Sequence, residues 1–425
     1  MKNRFLKTKV LTYILIFLLI ILKFKCHPTK NHMPDKPFIL NGQHTGVLKV
    51  TYGFRCFATD PDSDSVAIRF DWGDGNISDW SPYVPSGQVV MMNHSWQNAD
   101  TYYIKAQAKD RKGAISEWSS EYEIIILNVS GIKCQEVGYY DTPGVAEDVV
   151  VISNYAYVAD GLSGLRIIDI TNPQNPLEVG YYDTPGYAFS VAVANNYAYI
   201  GEGPSGLRII DIANPQNPLE VGYCETPDTV YSIALENNYA YVANDDSGLR
   251  IIDITNPQNP LEVGYYDTPG YAFSVAVANN YAYVADGLSG LRIIDITNPQ
   301  NPSEIGYYDE LWAEDVAVAS NYAYVGTWNG LSIIDISNPQ NPSQVTWFQN
   351  YSYYGVAVTN NYAYIAAGDY GLRIIDISNP QNPLEVGNYI APGFSKDIIV
   401  LNNYAYLANG ECGLRIIEFY EMGIK

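Results

Sequence analysis

The sequence predicts an all-β chain: a small sandwich, then a ring of four-stranded sheets closed by the ring's own first strand. Three observations predict it. A segment of about 42 residues recurs seven times after residue 132, the size of one four-stranded unit. Between residues 36 and 127, short β-branched and aromatic runs are separated by Gly, Asp, Asn and Pro, the pattern of strands and turns. No stretch carries apolar residues at sustained helical spacing.

The repeat is read first. Gly-Leu-Arg-Ile-Ile-Asp recurs with its acid at Asp169, Asp211, Asp253, Asp295, Asp335, Asp376 and Glu418. Asn-Tyr-Ala-Tyr starts at Asn154, Asn196, Asn238, Asn280, Asn321, Asn361 and Asn403, and Asn-Pro-Gln-Asn-Pro occurs six times, first at 172–176. In the second copy, strand a is predicted at 188–194, b at 197–200, c at 207–212 and d at 219–223. The connections are too short for crossover helices, so the strands pair as an antiparallel meander. Adjacent Ile pairs such as Ile167-Ile168 fit sheets buried on both faces.

The repeats open with a lone strand d at 135–141 and end with a lone strand c at 414–419. Seven complete sheets result only if 135–141 joins the last one as its outer strand. Otherwise that sheet exposes an open edge. The prediction for 132–420 is therefore a seven-bladed β-propeller whose N-terminal strand closes the last blade. The Leu-Arg-Ile-Ile-Asp core resembles the LVIVD-repeat family. That resemblance implies a propeller at a cell surface and brings no catalytic residues.

Residues 36–128 are predicted to form the sandwich. Phe54, Cys56 and Ala58 alternate along 52–59. Trp72, Trp96 and Trp118 are expected to fill the core. Asp60-Pro61-Asp62, Asp71-Trp72-Gly73-Asp74-Gly75, His94-Ser95-Trp96 and the run from Thr101-Tyr102-Tyr103 through Asp110, Gly113 and Trp118-Ser119 resemble a PKD domain, except that Ser63 stands where that loop usually has Gly. The resemblance implies an Ig-like β-sandwich used as a spacer or for protein and carbohydrate contacts.

Lys2, Arg4, Lys7 and Lys9 precede an apolar run from Val10 to Leu22, closed by Lys23 and Lys25. Residues 1–26 thus read as a signal peptide or N-terminal membrane anchor. The residues before Cys26 do not suit a lipidation motif. Asn76, Asn93, Asn128 and Asn350 head N-x-S glycosylation triplets, in keeping with an extracellular chain.

Of the net charge of −22, residues 132–425 carry −25, from nine basic and 34 acidic side chains. Such a domain repels phosphate backbones and anionic membranes, which argues against nucleic-acid binding. The five cysteines show no metal or disulfide-framework spacing. There is no G-x-S-x-G, HExxH or P-loop, and His27, His32, His44 and His94 all precede the repeats. The chain reads as non-catalytic, without a cofactor.

Three groups of carboxylates could present ligands to Ca²⁺. Asp60, Asp62 and Asp64 share a turn, but a distal bidentate Glu is missing, so self-capping of the turn is the preferred reading. Glu147-Asp148 and Glu314-Asp315 open strand a in two units near the channel mouth. The Asp ending each strand c is expected to cap the Asn-Pro turn beside it. The repeated Arg is expected to pair locally and snorkel. Ser332 replaces it once.

The loops between strands d and a, and between b and c, diverge in the later units. There they carry Trp312, Trp328, Trp347, Phe348, Tyr351, Tyr353 and Tyr354. Exposed loop aromatics suit a recognition surface; packing between blades is the competing reading. The expected function is binding or adhesion at the cell surface, with a protein or carbohydrate partner. An extracellular polysaccharide hydrolase or lyase, and a structural surface-layer component, are the alternatives.

Overall fold

A computed structural model describes residues 31–42, 44–128, 131–349 and 351–421. The N-terminal segment 1–26 and Asn350 lie outside these residues. Every regular element described is a β-strand. The chain divides into two compact units, the larger comprising Glu123 onward together with Asn41–Gly53 and Asn93–Tyr102.

The first seven strands are β1 (Phe38–Asn41), β2 (Thr45–Val47), β3 (Tyr52–Phe57), β4 (Val66–Asp71), β5 (Val90–His94), β6 (Thr101–Asp110) and β7 (Tyr122–Leu127). They form two sheets, β1-β3-β5 and β2-β7-β6-β4. Strand β6 shows why they form. Tyr102, Ile104, Ala106 and Ala108 are buried while the residues between them turn outward, the period of a pleated strand. Phe54 packs against Trp72 at 5.7 Å, and Trp96 is fully buried. Trp118 departs from expectation: it is half-buried, with the Arg69 guanidinium 5.4 Å over its ring. Its ring packs on a cation at the surface, not in the core.

Strand β8 (Ile132–Tyr140) opens the second set. Among the described residues, seven four-stranded sheets involve the residues from 132 onward; six are meanders of consecutive strands, and the seventh takes β8 as its fourth strand. Sheet 1 takes strand a at Asp148–Ile152, b at Tyr155–Ala159, c at Leu165–Asp169 and d at Leu177–Tyr182. Sheet 2 takes Ala188–Ala194, Tyr197–Glu202, Gly206–Asp211 and Leu219–Cys224, close to the segments its sequence predicts. The a–b turns place Ser153, Asn195, Asn237 and Asn279 at positive φ, which Asn tolerates better than most residues.

Both Ile residues of each pair are buried because each sheet is covered on both faces. Ile167 joins the core shared with sheet 2, and Ile168 the core shared with sheet 7. Each such side chain contributes about 1.5–3 kcal/mol. Between them the register with strand d shifts by one residue. Close approach of sheets also fixes the glycine of strand d. A Cβ on Gly180 would lie 2.0 Å from the Pro215 carbonyl in the next sheet's Asn-Pro link.

Sheet 7 has the order 397–401, 404–408, 414–421 and then β8. Pairing runs from Leu414↔Tyr140 to Glu421↔Ile132. Tyr406, Ala408, Leu414 and Ile416 of sheet 7 share one core with Val149, Val151, Ala156 and Val158 of sheet 1, which brings the last sheet against the first.

Candidate functional site

The a strands line a central channel of about 560 Å³. At its mouth stand Glu147, Phe189, Tyr231, Phe273, Glu314, Tyr354 and Lys396. One residue further in are Asp148, Ser232, Ser274, Asp315 and Asp397. Several of these side chains tie neighbouring sheets together. The Val191 N–H donates to Asp148 at 2.8 Å, the Val356 N–H to Asp315 at 2.6 Å, and the Val149 N–H to Asp397 at 3.3 Å.

Burial pushes the carboxyl of Asp315 up to about 6, and the nearby charge of Asp397 adds to the shift. Asp397 is raised well above the ordinary range by desolvation and by Asp148.

Glu147 and Glu314 do different work. Lys396 Nζ reaches both oxygens of Glu147 at 2.6 Å, and the Tyr187 hydroxyl also donates to it. The indole N–H groups of Trp312 and Trp328 both donate to Glu314 Oε1. The two acidic pairs are thus not brought into one cation site. Among the described residues, the one group of three potential metal donors within 4.8 Å is Asp60, Asp62 and Asp64. Asp60 there accepts the Asp62 and Asp64 N–H groups at 2.8 and 3.2 Å. Asp62 bonds His32, and Lys112 lies 2.7 Å from Asp64. This is the capped turn in geometry, made through Asp60 Oδ1; Asp60 Oδ2 is buried without a hydrogen-bond partner among the described residues.

Each Asp ending strand c accepts a backbone N–H two residues on, as Asp169 does from Thr171 at 2.8 Å. The repeated Arg does not snorkel. Arg166 is 7 % exposed, lies 4.7 Å from the Tyr181 ring, and meets Asp183 at 2.9 Å and Glu178 at 3.9 Å. Arg250, Arg292 and Arg415 repeat the arrangement over Tyr265, Tyr307 and Tyr139. In sheet 6, Arg373 is fully buried, 4.6 Å from the Tyr351 ring and 3.1 Å from Glu385.

The predicted aromatics separate into two groups. Trp312 and Trp328 have ring centroids 4.1 Å apart, and Trp328 and Trp347 are 55 % and 44 % exposed. All three line one pocket of about 300 Å³. Tyr354 lies apart at the channel mouth, 4.8 Å from Phe394. Phe348 is half-buried against the core beneath sheets 5 and 6. Tyr351 and Tyr353 are corrections: they are 3 % and 0 % exposed, because both turn inward to pack beside sheet 6. Asn76, Asn93 and Asn128 are exposed.

Sequence reasoning noticed Ser332 but missed its company. Where sheet 1 has Asp160, Arg166, Glu178, Tyr181 and Asp183, sheet 5 has Thr327, Ser332, Gln344, Trp347 and Gln349. Gln344 donates to Ser332 at 2.8 Å in place of the ion pair. Comparing the repeats column by column carries that signal.

The LVIVD repeat matches seven times, at residues 143–184, 185–226, 229–268, 269–310, 312–349, 354–391 and 392–418. No curated protein matches the chain. Among solved structures, the chain is similar to the WD40 β-propeller domain of Doa1, at 10 % identity over 68 % of this chain and 97 % of that one, TM-score 0.55. The β-propeller domain of Myceliophteria thermophila Cps50 (Swd1) is similar at 12 % identity over 67 % and 98 %, TM-score 0.55. A PKD domain of an M14-like peptidase from Thermoplasmatales archaeon SCGC AB-540-F20 matches at 31 % identity over 23 % of this chain and 97 % of that one, TM-score 0.21. The two propeller likenesses support the propeller fold.

Proposed function

The chain belongs to the LVIVD repeat family, and from that premise we propose a non-catalytic, exported binding protein, with a PKD-type, Ig-like sandwich followed in the sequence by a seven-bladed propeller head. The head recognises a surface protein or carbohydrate, as in adhesion. The observation that carries this reading is the tryptophan cluster, half-buried Trp312 with exposed Trp328 and Trp347, around one pocket. Tryptophan is enriched where surfaces bind, and open clusters of it are uncommon elsewhere. The basic-apolar composition of residues 1–26 supports export.

The channel acids give less support to a hydrolase. Asp148, Asp315 and Asp397 accept backbone N–H groups of adjacent sheets, a use that accounts for them as ties between blades.

The test is an array of glycans and surface proteins probed with the purified chain from residue 27 onward. Capture that is lost in Trp328→Ala and Trp347→Ala, with unchanged circular dichroism, supports the reading. Capture that both variants retain rejects this face as the recognition surface.

A further inference from the structure

We infer that the fifth-blade pocket is a subsite for a neutral sugar ring; this rests on the tryptophan-bearing face being the recognition surface. The other six blades occupy the same space with side chains of their own. Each fills it with an Arg on strand c and a Glu on strand d: Arg166 with Glu178, Arg208 with Glu220, and so on to Arg415 with Glu136. In five of them a tyrosine ring covers the guanidinium, as Tyr223 covers Arg208 at 4.8 Å. The sixth blade covers Arg373 with Tyr351 instead.

Blade 5 removes the whole arrangement at once. Ser332 replaces the long Arg, and Gln344 the Glu. Loss of the guanidinium alone would strand a carboxylate, but here the acid is gone as well, and the Ser332–Gln344 bond closes the polar floor at 2.8 Å. The pocket there has a volume of about 300 Å³, at the lower end of small-ligand sites. It opens beneath Trp347, which takes the tyrosine's place opposite Ser332. The b–c turn of this blade, shorter by one residue than in blade 1, adds Trp328 and Asn329 to the rim.

The lining specifies the ligand. A pyranose has an apolar face of C–H bonds and an edge of hydroxyls that both donate and accept. The tryptophans offer flat apolar surface for the face. Asn329 and Gln344 offer amides that donate and accept for the edge. Glu310 at the rim and the −25 charge of residues 132–425 disfavour an anionic sugar or phosphate. Two carboxylates border the rings and could favour a cationic ligand: Glu314 accepts from both indole N–H groups, and Glu310 accepts from the Tyr308 hydroxyl at 3.4 Å.

The experiment uses the chain from residue 27 onward against immobilised gluco-, manno- and galacto-hexasaccharides, with sialylated and sulfated glycans, cationic peptides and surface proteins alongside. Binding to at least one neutral series is expected, with a change in tryptophan fluorescence. Trp347→Ala and Asn329→Ala should each weaken it about tenfold or more. Ser332→Arg with Gln344→Glu, the pair that six sister blades already hold, should abolish it without lowering the melting temperature. Asn329→Ala sits on an exposed loop, so it remains informative if the double variant unfolds.

Sugar binding that persists in both Asn329→Ala and a folded double variant overturns the pocket assignment. Absence of binding to every neutral glycan overturns the sugar assignment. If surface proteins are then captured through Trp328, the recognition face stands and only its ligand class falls.

Discussion

Arg415 donates to Asp141 across 2.8 Å although 274 positions separate them in the chain. The contact sits beside the seam where β8 completes sheet 7. Removing residues 132–140 leaves strand c of that sheet as an open edge, and such edges pair with other chains. The expected outcome is a melting temperature lower by about 10 °C or more, with concentration-dependent association. Calorimetry and size-exclusion chromatography of the shortened chain check it; an unaltered melting curve would show that the seam contributes little.

Gly180→Ala should destabilise the ring by about 1–3 kcal/mol, the usual range for overpacking. The added Cβ meets the Pro215 carbonyl at 2.0 Å, and backbone on both sides must yield. Urea denaturation measures it. The same substitution at Gly75, where a Cβ meets nothing within 4 Å, should cost about 1 kcal/mol or so, from its positive φ. Equal losses at the two sites would dismiss sheet contact as the cause.

Arg373→Ala should cost about 3–5 kcal/mol, because it removes the cation from the buried carboxylate of Glu385. Arg166→Ala should cost less: Asp183, its closest acid, is 64 % exposed, and buried Asp160, 3.8 Å away, keeps the hydrogen bonds from Thr142 and Gly144. The comparison needs both variants in one denaturant series. A larger loss at Arg166 would contradict the burial argument.

The channel acids predict a pH profile. With its folded carboxyl raised to about 6, Asp315 holds its proton more tightly folded than unfolded, where it titrates near 3.9. Its contribution to stability is therefore complete below about pH 4 and declines as the pH rises through about 6. Asp397, raised well above the ordinary range by burial and by Asp148, acts in the same direction. Asp315→Asn should flatten the fall between pH 4 and 6, and melting temperatures across pH 4–8 read it directly. An unchanged slope in the variant would assign the pH dependence to other groups.

Much of the propeller was legible because each unit restates the same constraints. Asn at the a–b turn, paired Ile on strand c and the Asn-Pro link recur in fixed order, and the odd strand at each end predicted the pairing of 135–141 with 414–419. Strands β1 and β2 were not legible: four and three residues long, they are too short to show alternation. Tyr351 and Tyr353 misled for a physical reason. An aromatic in an irregular segment has the same sequence signature whether it points to solvent or, like Tyr351, lies on a buried guanidinium. The fifth-blade pocket was half legible. Ser332 was visible alone, but only a set of replacements around it distinguishes an emptied site from a tolerated substitution.

The strand that completes sheet 7 is made before any other part of the ring, and its partner at 414–421 is made last. During synthesis β8 must wait while six whole sheets emerge. The ring thus cannot lock until residues 414–421 have been made, and a ribosome that stops short of residue 414 releases an unfinished circle. Quality control of this molecule is written into the order of its strands.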